Sequence, residues 1–140
     1  MSTNPQLADQ LQAMIGKADR SLRAAHRHLE SRDHDFASSA AYYAVFHMMQ
    51  AALLTKGLTF SKHAGVISGF SEHFIKPGIV PSDFGQKIQR LRKDRELGDY
   101  GYTLTLDPAD AEQDVTMAGE IVATIKRFLS SFLATRSSLD

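Results

Sequence analysis

Residues that could bind a ligand or take part in catalysis are concentrated at 95–102, where the sequence is Arg-Glu-Leu-Gly-Asp-Tyr-Gly-Tyr. This segment contains an arginine, an aspartate and two tyrosines around two glycines. The end of a helix does not need so many polar side chains. A guanidinium binds phosphate through two parallel hydrogen bonds, and tyrosine rings stack on bases. The segment therefore predicts a site for a nucleotide or an RNA backbone, with Arg95, Asp99, Tyr100 and Tyr102 as its candidate residues.

A cationic stretch leads into this segment. Residues 90–95 contain four cations and one anion, whereas residues 107–120 contain five carboxylates and neither lysine nor arginine. Arg90 and Arg92 could join Arg95 in a phosphate-binding cluster. Over the whole chain, 16 basic residues balance 16 acidic ones, which argues against a general nucleic-acid coat protein with a strongly basic field.

A structural role is the alternative for the same residues. Arg95 and Asp99 are four apart, and a surface pair at that helical spacing contributes only ~0.3–0.5 kcal/mol. The acid follows the base, however, and a carboxylate near a helix C-terminus opposes the helix dipole. This order of acid and base weakens the alternative that the segment has only a structural role in the packing of the helices.

Six histidines raise the question of a metal: His26, His28, His34, His47, His63 and His73. No pair has the helical spacing and carboxylate partner that di-iron bundles use, so we expect neither a metal nor a cofactor. His47 falls on an apolar helix face and is expected as a core residue. His63 is expected to make a local hydrogen bond in the first turn of a helix.

Composition excludes several other classes of site. The 140 residues match one domain, and the absence of cysteine excludes disulfides and thiolate chemistry. Gly65 and Gly69 lie inside a predicted helix with no strand before it, so a phosphate-binding glycine loop is not expected. No apolar stretch approaches the ~20 residues of a membrane span, and the first residues do not resemble a signal peptide. We expect a cytoplasmic protein.

Apolar residues at three- and four-residue spacing predict five helices, at 7–29, 36–54, 61 or 62 to about 76, 84 to near 98, and 108–132. Asp33 or Asp35 could cap the second helix and Gly57 could end it, while Asp107 precedes a proline at the start of the fifth. With no alternating strand pattern, the chain predicts an all-α bundle in one domain, residues 1–140, with a core at about 8–134.

The second predicted helix also suggests a homodimer. In the pair Tyr42-Tyr43, adjacent positions point about 100° apart, so one ring can enter the core while the other faces a groove or a second subunit. Either tyrosine, together with Met48 and Met49, offers more apolar surface than one helix can direct inward.

Three segments carry a family resemblance: AAYYAVFH at 40–47, HAGV at 63–66, and R-x-x-G-D-Y at 95–100. Together they resemble the HEPN superfamily (higher eukaryotes and prokaryotes nucleotide-binding), and more narrowly its small, stand-alone prokaryotic members, over about residues 8–134. The resemblance implies an up-and-down helical bundle that dimerises, with the motifs of two subunits meeting at the two-fold axis. It also implies a ligand site that includes Tyr43, His47 and His63.

Many HEPN proteins are ribonucleases, including toxins of toxin–antitoxin pairs whose partner is a minimal nucleotidyltransferase. Their motif is an arginine, four to six residues and then a histidine. By resemblance Arg95 takes the arginine position, but Tyr100 stands where a histidine is expected, and none follows His73. With an ordinary pKa near 10, tyrosine is ionised in about one molecule in a thousand at neutral pH, so Tyr100 would be a poor base.

Two functional hypotheses follow from the resemblance. The first is a weakly active or non-catalytic HEPN subunit that binds a nucleotide, RNA or a nucleotidyltransferase. In one toxin subgroup the partner adenylylates a tyrosine two residues after the motif histidine, and Tyr102 stands at that place. The second is a metal-independent ribonuclease that uses Arg95 with Tyr100, or with His47 or His63. The distance of these histidines from Arg95 distinguishes the two.

Overall fold

The computed structural model describes residues 5–100, 102 and 106–138, without the side chains of residues 100, 137 and 138. Within these residues the chain forms five α-helices and no strand: α1 (Pro5–Glu30), α2 (His34–Leu54), α3 (His63–Phe70), α4 (Phe84–Tyr100) and α5 (Pro108–Ser138). The prediction of an all-α bundle is confirmed. None of the described helices is both long and apolar enough to cross a membrane.

Helix α2 is the centre of the bundle and contacts all four other helices. Twelve of its 21 residues are buried, because alanines around much of its circumference let the neighbouring helices approach closely. The expected surplus of apolar surface is therefore wrong: Tyr42, Met48 and Met49 are wholly buried within one chain. Of the residues expected at a dimer interface, Tyr43 alone is partly exposed among those that the structure describes.

Several helix ends follow from local sequence. Gly57 has a φ of 72° and ends α2, with its N–H donating to Leu54 O and the next N–H, of Leu58, donating to Leu53 O. The side chain of Asp107 caps α5 by accepting the N–H of Ala109 at 2.9 Å. Asp33 precedes α2 but makes no side-chain cap.

The third predicted helix is found in two parts. After α3 the chain makes one turn of π-helix, Ser71–Ile75, in which the N–H of Lys76 donates to Ser71 O at 2.9 Å. The predicted inward residues of this segment are all buried: Val66, Ile67, Phe70 and Phe74.

Helix α4 directs the candidate arginine toward the bundle. Phe84, Ile88 and Leu91 are buried at steps of four and three residues, and a further step of four leads to Arg95. Arg95 therefore continues the core-facing stripe of α4 rather than its solvent face. At Gly98 the helix lies so close to α2 that an added Cβ would be 3.1 Å from Asp35 O.

Candidate functional site

Arg95 is held by contacts on several sides. Its Nε lies 2.9 Å from Asp99 Oδ2, and its Nη2 donates a hydrogen bond of 2.8 Å to Tyr43 Oη. Its Cζ also lies 5.4 Å from the ring centroid of Tyr42 and 5.3 Å from that of Tyr43, within cation–π range. With 14% of its side chain exposed, Arg95 forms a partly buried, oriented pair with Asp99 rather than a surface pair.

His63 is the second polar centre, at the start of α3. Its Nδ1 lies 2.9 Å from Tyr42 Oη, and its ring stacks on Phe46 with a centroid distance of 4.2 Å. The expected local hydrogen bond of His63 is therefore wrong, because its partner lies 21 residues earlier on the central helix. Packing of α3 on α2 creates this pair.

Arg95 and His63 share the same aromatic neighbours. The ring centroid of His63 lies 5.7 Å from that of Tyr42 and 5.8 Å from that of Tyr43, the same two rings that contact the Arg95 guanidinium. We call Arg95, Asp99, Tyr42, Tyr43, Phe46 and His63 the Arg95 cluster. It brings together residues from the three segments that carry the HEPN resemblance.

The electrostatics of the cluster suit proton transfer. Burial lowers the pKa of His63 below its ordinary value of 6.5, and the positive charges of Arg95 and Arg92 lower it further. Neutral imidazole can accept a proton at one ring nitrogen while the other is hydrogen-bonded. Burial raises the pKa of Tyr42, although Arg95 opposes the shift, so the hydroxyl stays protonated and can pair with either tautomer of His63.

The remaining predicted ligand residues differ in how they relate to this cluster. His47 packs at its edge, with its ring centroid 6.3 Å from that of Tyr43, and burial lowers its pKa. Arg92 pairs with Glu96 at 3.5 Å, and Tyr102 is 98% exposed. The side chain of Tyr100 lies outside the described part of the chain, so its predicted role stays a prediction.

Arg90 does not join Arg95 in one cluster, which corrects the expectation from its sequence position. It faces α5, with Nη2 3.0 Å from Asp110 Oδ1 and Nε 3.5 Å from Asp114 Oδ1. Residues five apart on an α-helix point about 140° away from each other, so Arg90 and Arg95 face different neighbours.

A second polar cluster, which the sequence analysis missed, surrounds Asp114. This carboxyl is wholly buried, accepts a 2.9 Å hydrogen bond from Ser38 Oγ, and lies near Arg90 and Asp94. Burial and a hydrogen bond to Asp94 raise the pKa of Asp114 to about 8, against the opposing effects of Ser38 and Arg90. We call Ser38, Arg90, Asp94 and Asp114 the Asp114 cluster. Its signal in the sequence was an aspartate at apolar-face spacing, three residues after Ala111.

The Arg95 cluster offers a guanidinium, a carboxylate, an imidazole and phenol hydroxyls, which are groups able to bind anions and to exchange protons. Among the described residues, no group of three or more histidine, aspartate or glutamate side chains is arranged to hold a metal ion. A guanidinium oriented by a carboxylate and a tyrosine is a ready binding partner for a phosphate.

Comparison with known proteins identifies the family. The HEPN domain family model matches residues 11–128. The chain belongs to the HEPN family. Among its relatives, "Putative toxin MJ0605" of Methanocaldococcus jannaschii is 34% identical over 130 residues, which cover 93% of this chain and 96% of that protein. "Putative toxin MJ0142" of the same organism is 31% identical over 87% of this chain and 83% of its own length.

The comparison also finds a bacterial relative and a solved structure of similar fold. A "UPF0332 protein" of Thermotoga maritima is 34% identical over 63% of this HEPN chain and 67% of its own length. The fold is similar to the crystal structure of TT1696 from Thermus thermophilus, with a TM-score of 0.70 over 84% of this chain and 97% of that one. Sequence identity to that structure is 19%, so it supports the fold alone.

Proposed function

We propose that this HEPN protein binds the phosphate groups of RNA or of a nucleotide at the Arg95 cluster. The observation that carries the proposal is the Arg95 guanidinium, which Asp99 and Tyr43 orient beside two tyrosine rings. A phosphate meets a preoriented guanidinium, and Tyr43, which is partly exposed, is available for stacking on a base. The binding subunit is weakly active or inactive if catalysis needs the motif histidine that Tyr100 replaces.

A metal-independent ribonuclease is the second candidate, and the position of His63 favours it. A histidine far from Arg95 would have argued for an inactive site, but His63 contacts the same two tyrosines as Arg95. In such a reaction the 2′-oxygen attacks the adjacent phosphorus and the bond to the 5′-oxygen breaks. His63 would take the proton of the 2′-hydroxyl or supply one to the leaving oxygen, while Arg95 stabilises the added negative charge.

One experiment separates these two functions. Wild type, Arg95→Ala, His63→Gln and Tyr100→His are incubated with single-stranded RNA in chelator, and nucleotide binding is measured in parallel. His73→Gln is the matched control, since His73 lies on the π turn outside the cluster. Loss of charged hydrogen bonds in Arg95→Ala is expected to weaken binding about 10- to 100-fold.

Each outcome selects one proposal. Cleavage by wild type that both Arg95→Ala and His63→Gln abolish, and that His73→Gln retains, establishes the ribonuclease. Cleavage only by Tyr100→His establishes a binding site that lacks its catalytic histidine. Equal nucleotide binding by wild type and Arg95→Ala overturns the phosphate site itself.

The cellular role that fits these proposals is that of a toxin-type subunit with a nucleotidyltransferase partner. Two relatives carry the word toxin in their names, and Tyr102 exposes its side chain almost completely, as a modified tyrosine requires. Mass spectrometry of protein isolated from its native host would show a nucleoside monophosphate on the Tyr102 peptide of wild type and none on Tyr102→Phe. An unmodified Tyr102 under conditions where the toxin is silenced would contradict the modification.

A homodimer is part of the same proposal, with family membership as its support. Tyr43 is partly exposed in the single chain and lies at the Arg95 cluster, so a partner subunit could complete the site there. Light scattering of wild type at micromolar concentrations is expected to give twice the monomer mass. A monomer mass would contradict the homodimer. A Tyr43→Asp variant that stays dimeric would show that the interface does not include Tyr43.

A further inference from the structure

A polar groove lies between α3 with its π turn on one side and α4 on the other. Ser68, Ser71 and Lys76 line the first wall, and Gln89 and Arg92 line the second. Hydroxyls, an amide and two cations therefore face one groove outside the Arg95 cluster. These are the donor groups that contact phosphate and sugar oxygens in nucleic-acid complexes.

The groove lies beside the Arg95 cluster. Ala64, the residue after His63, lines it, and so does Arg92, three residues before Arg95. The charge of Arg92 contributes to the lowered pKa of His63, which agrees with this placement. Arg92 therefore lies both at the groove and near the Arg95 cluster.

The length of the groove exceeds one phosphate group. Ala64, Ser68 and Ser71 follow each other at steps of four and three residues, so they lie along one face of the helix. At a rise of 1.5 Å per residue, the seven steps from Ala64 to Ser71 extend the wall by about 10 Å. Lys76 continues the wall beyond that point.

The π turn places Lys76 on this wall. In an α-helix, residues five apart point about 140° away from each other. Here the N–H of Lys76 donates to Ser71 O, which stacks the two residues one above the other on the groove side. π turns occur often at functional sites, and this one adds a cation to the polar wall.

We propose that this groove binds the backbone of a single-stranded RNA whose phosphate occupies the Arg95 cluster. The inference rests on the proposed function, and it makes the ligand an RNA strand of several nucleotides rather than a mononucleotide. Lys76 and Arg92 contact phosphates, while Ser68, Ser71 and Gln89 contact phosphate oxygens and 2′-hydroxyls.

Glu72 supplies an independent check on the path of the phosphates. It also lines the groove, and its carboxylate lies 4.0 Å from the ring of His73. A negative charge beside a phosphate weakens binding, so Glu72→Gln is expected to strengthen binding of an RNA strand that passes it.

The test measures affinity against length for wild type, Arg95→Ala, Lys76→Ala and Gln89→Ala. The probes are adenosine monophosphate and oligoadenylates of increasing length, with oligodeoxyadenylate to test the 2′-hydroxyl. Lys93→Ala is the matched control, because Lys93 is an exposed lysine of α4 outside the lining of the groove. A thermal unfolding midpoint for each variant confirms that it is folded.

Wild type is expected to bind oligoadenylate more tightly than adenosine monophosphate, and more tightly than the DNA strand of the same length. Lys76→Ala should weaken oligoadenylate binding about three- to tenfold, lower the salt dependence by about 0.7 in log–log slope, and leave binding of the monophosphate unchanged. Gln89→Ala should weaken oligoadenylate binding less, and Lys93→Ala should not change it.

The outcomes separate the groove from the site. The groove proposal is overturned if affinity does not depend on the length of the oligoadenylate, or if Lys76→Ala and Lys93→Ala lose the same affinity. In either case, monophosphate binding that depends on Arg95 would still support the proposed function. Equal affinity for the RNA and DNA strands also overturns an RNA groove. If Arg95→Ala binds both the monophosphate and RNA as wild type does, the proposed function is overturned, and the groove proposal that rests on it falls too.

Discussion

The two polar clusters on α4 use similar residue types in opposite ways. Asp94 and Arg95 are adjacent, yet Asp94 belongs to the Asp114 cluster and Arg95 to the Arg95 cluster. Arg90 lies within 3.6 Å of three carboxylates, those of Asp94, Asp110 and Asp114, and the last of these is wholly buried. Arg95 lies 2.9 Å from the carboxylate of Asp99, which exposes 28% of its side chain, and donates a hydrogen bond to the hydroxyl of Tyr43. Several carboxylates therefore compensate the charge of Arg90, whereas a neutral hydroxyl shares in orienting Arg95.

Burial changes the protonation of Asp114. Removing a carboxylate from water favours its protonated form, and a neighbouring carboxyl favours it further, so the pKa of Asp114 rises to about 8. With that pKa, most Asp114 side chains are protonated near neutral pH. The cluster links α4 to α5, since Arg90 and Asp94 lie on α4 and Asp114 lies on α5.

The largest expected effect is the pH dependence of stability. Unfolded Asp114 has an ordinary pKa of 3.8, so the folded protein holds a proton that the unfolded chain releases between about pH 4 and pH 8. The resulting contribution to stability is complete at low pH and is lost as pH rises toward about 8. Asp114→Asn should abolish this loss, which we expect to be on the order of 3 kcal/mol.

Urea unfolding of wild type and Asp114→Asn from pH 5 to pH 8.5 measures this difference directly. Asp110→Asn is the control, because Asp110 is an exposed partner of the same arginine. Parallel stability curves for wild type and Asp114→Asn would mean that the buried carboxyl is ionised throughout.

A smaller effect is expected from the two arginines, each of which should change a different property. Arg90→Ala leaves Asp94 and Asp114 without their cation, so we expect a loss of about 2 kcal/mol in the free energy of unfolding. Its RNA affinity should stay within about twofold of wild type. Arg95→Ala should reverse this pattern, with lost affinity and a smaller change in stability.

Denaturant unfolding and nucleotide binding on the same preparations test the contrast between these arginines. If Arg90→Ala loses affinity as strongly as Arg95→Ala at a temperature where both are folded, the two clusters act as one unit.

The glycines near the two ends of α4 predict a difference of about 1 kcal/mol between matched alanine variants. A Cβ at Gly98 would lie 3.1 Å from Asp35 O and 3.3 Å from Asp35 Cα, and this backbone has little room to move. A Cβ at Gly85 would meet nothing within 4 Å. Gly85→Ala should therefore stabilise by ~0.5–1 kcal/mol through helix propensity, while Gly98→Ala should be neutral or destabilising.

Thermal unfolding of the two alanine variants checks this prediction. Equal stabilisation by both would show that the end of α4 does not pack tightly on α2.

The smallest effect is a change in the titration of His63. Because the charge of Arg95 contributes to the lowered pKa of His63, Arg95→Ala should raise that pKa toward its ordinary value of 6.5. Arg92→Ala should raise it less, and Lys93→Ala should leave it unchanged.

Proton NMR titration of the histidine rings measures these values. If the titration of His63 is unchanged in Arg95→Ala, the charge of Arg95 does not act on His63. That result would weaken the ribonuclease candidate.

Much of the fold was determined by local sequence. Helix periodicity, the glycine at the end of α2 and the aspartate before α5 act through neighbours within a few residues, so they could be predicted without the tertiary structure. The same periodicity placed Arg95 in line with Phe84, Ile88 and Leu91, and a spacing of four placed Asp99 beside it. The sequence alone therefore located the centre of the candidate site.

Tertiary packing decided which distant residues complete each cluster. His63 contacts Tyr42 because α3 packs on α2, and Arg90 turns away from Arg95 because α5 supplies Asp110 and Asp114 on the other side of α4. Ser38 and Asp114 are 76 residues apart, and no local pattern pairs them. Periodicity specifies the face of a helix on which a residue lies, whereas the partner on that face depends on which helices the folded core brings together.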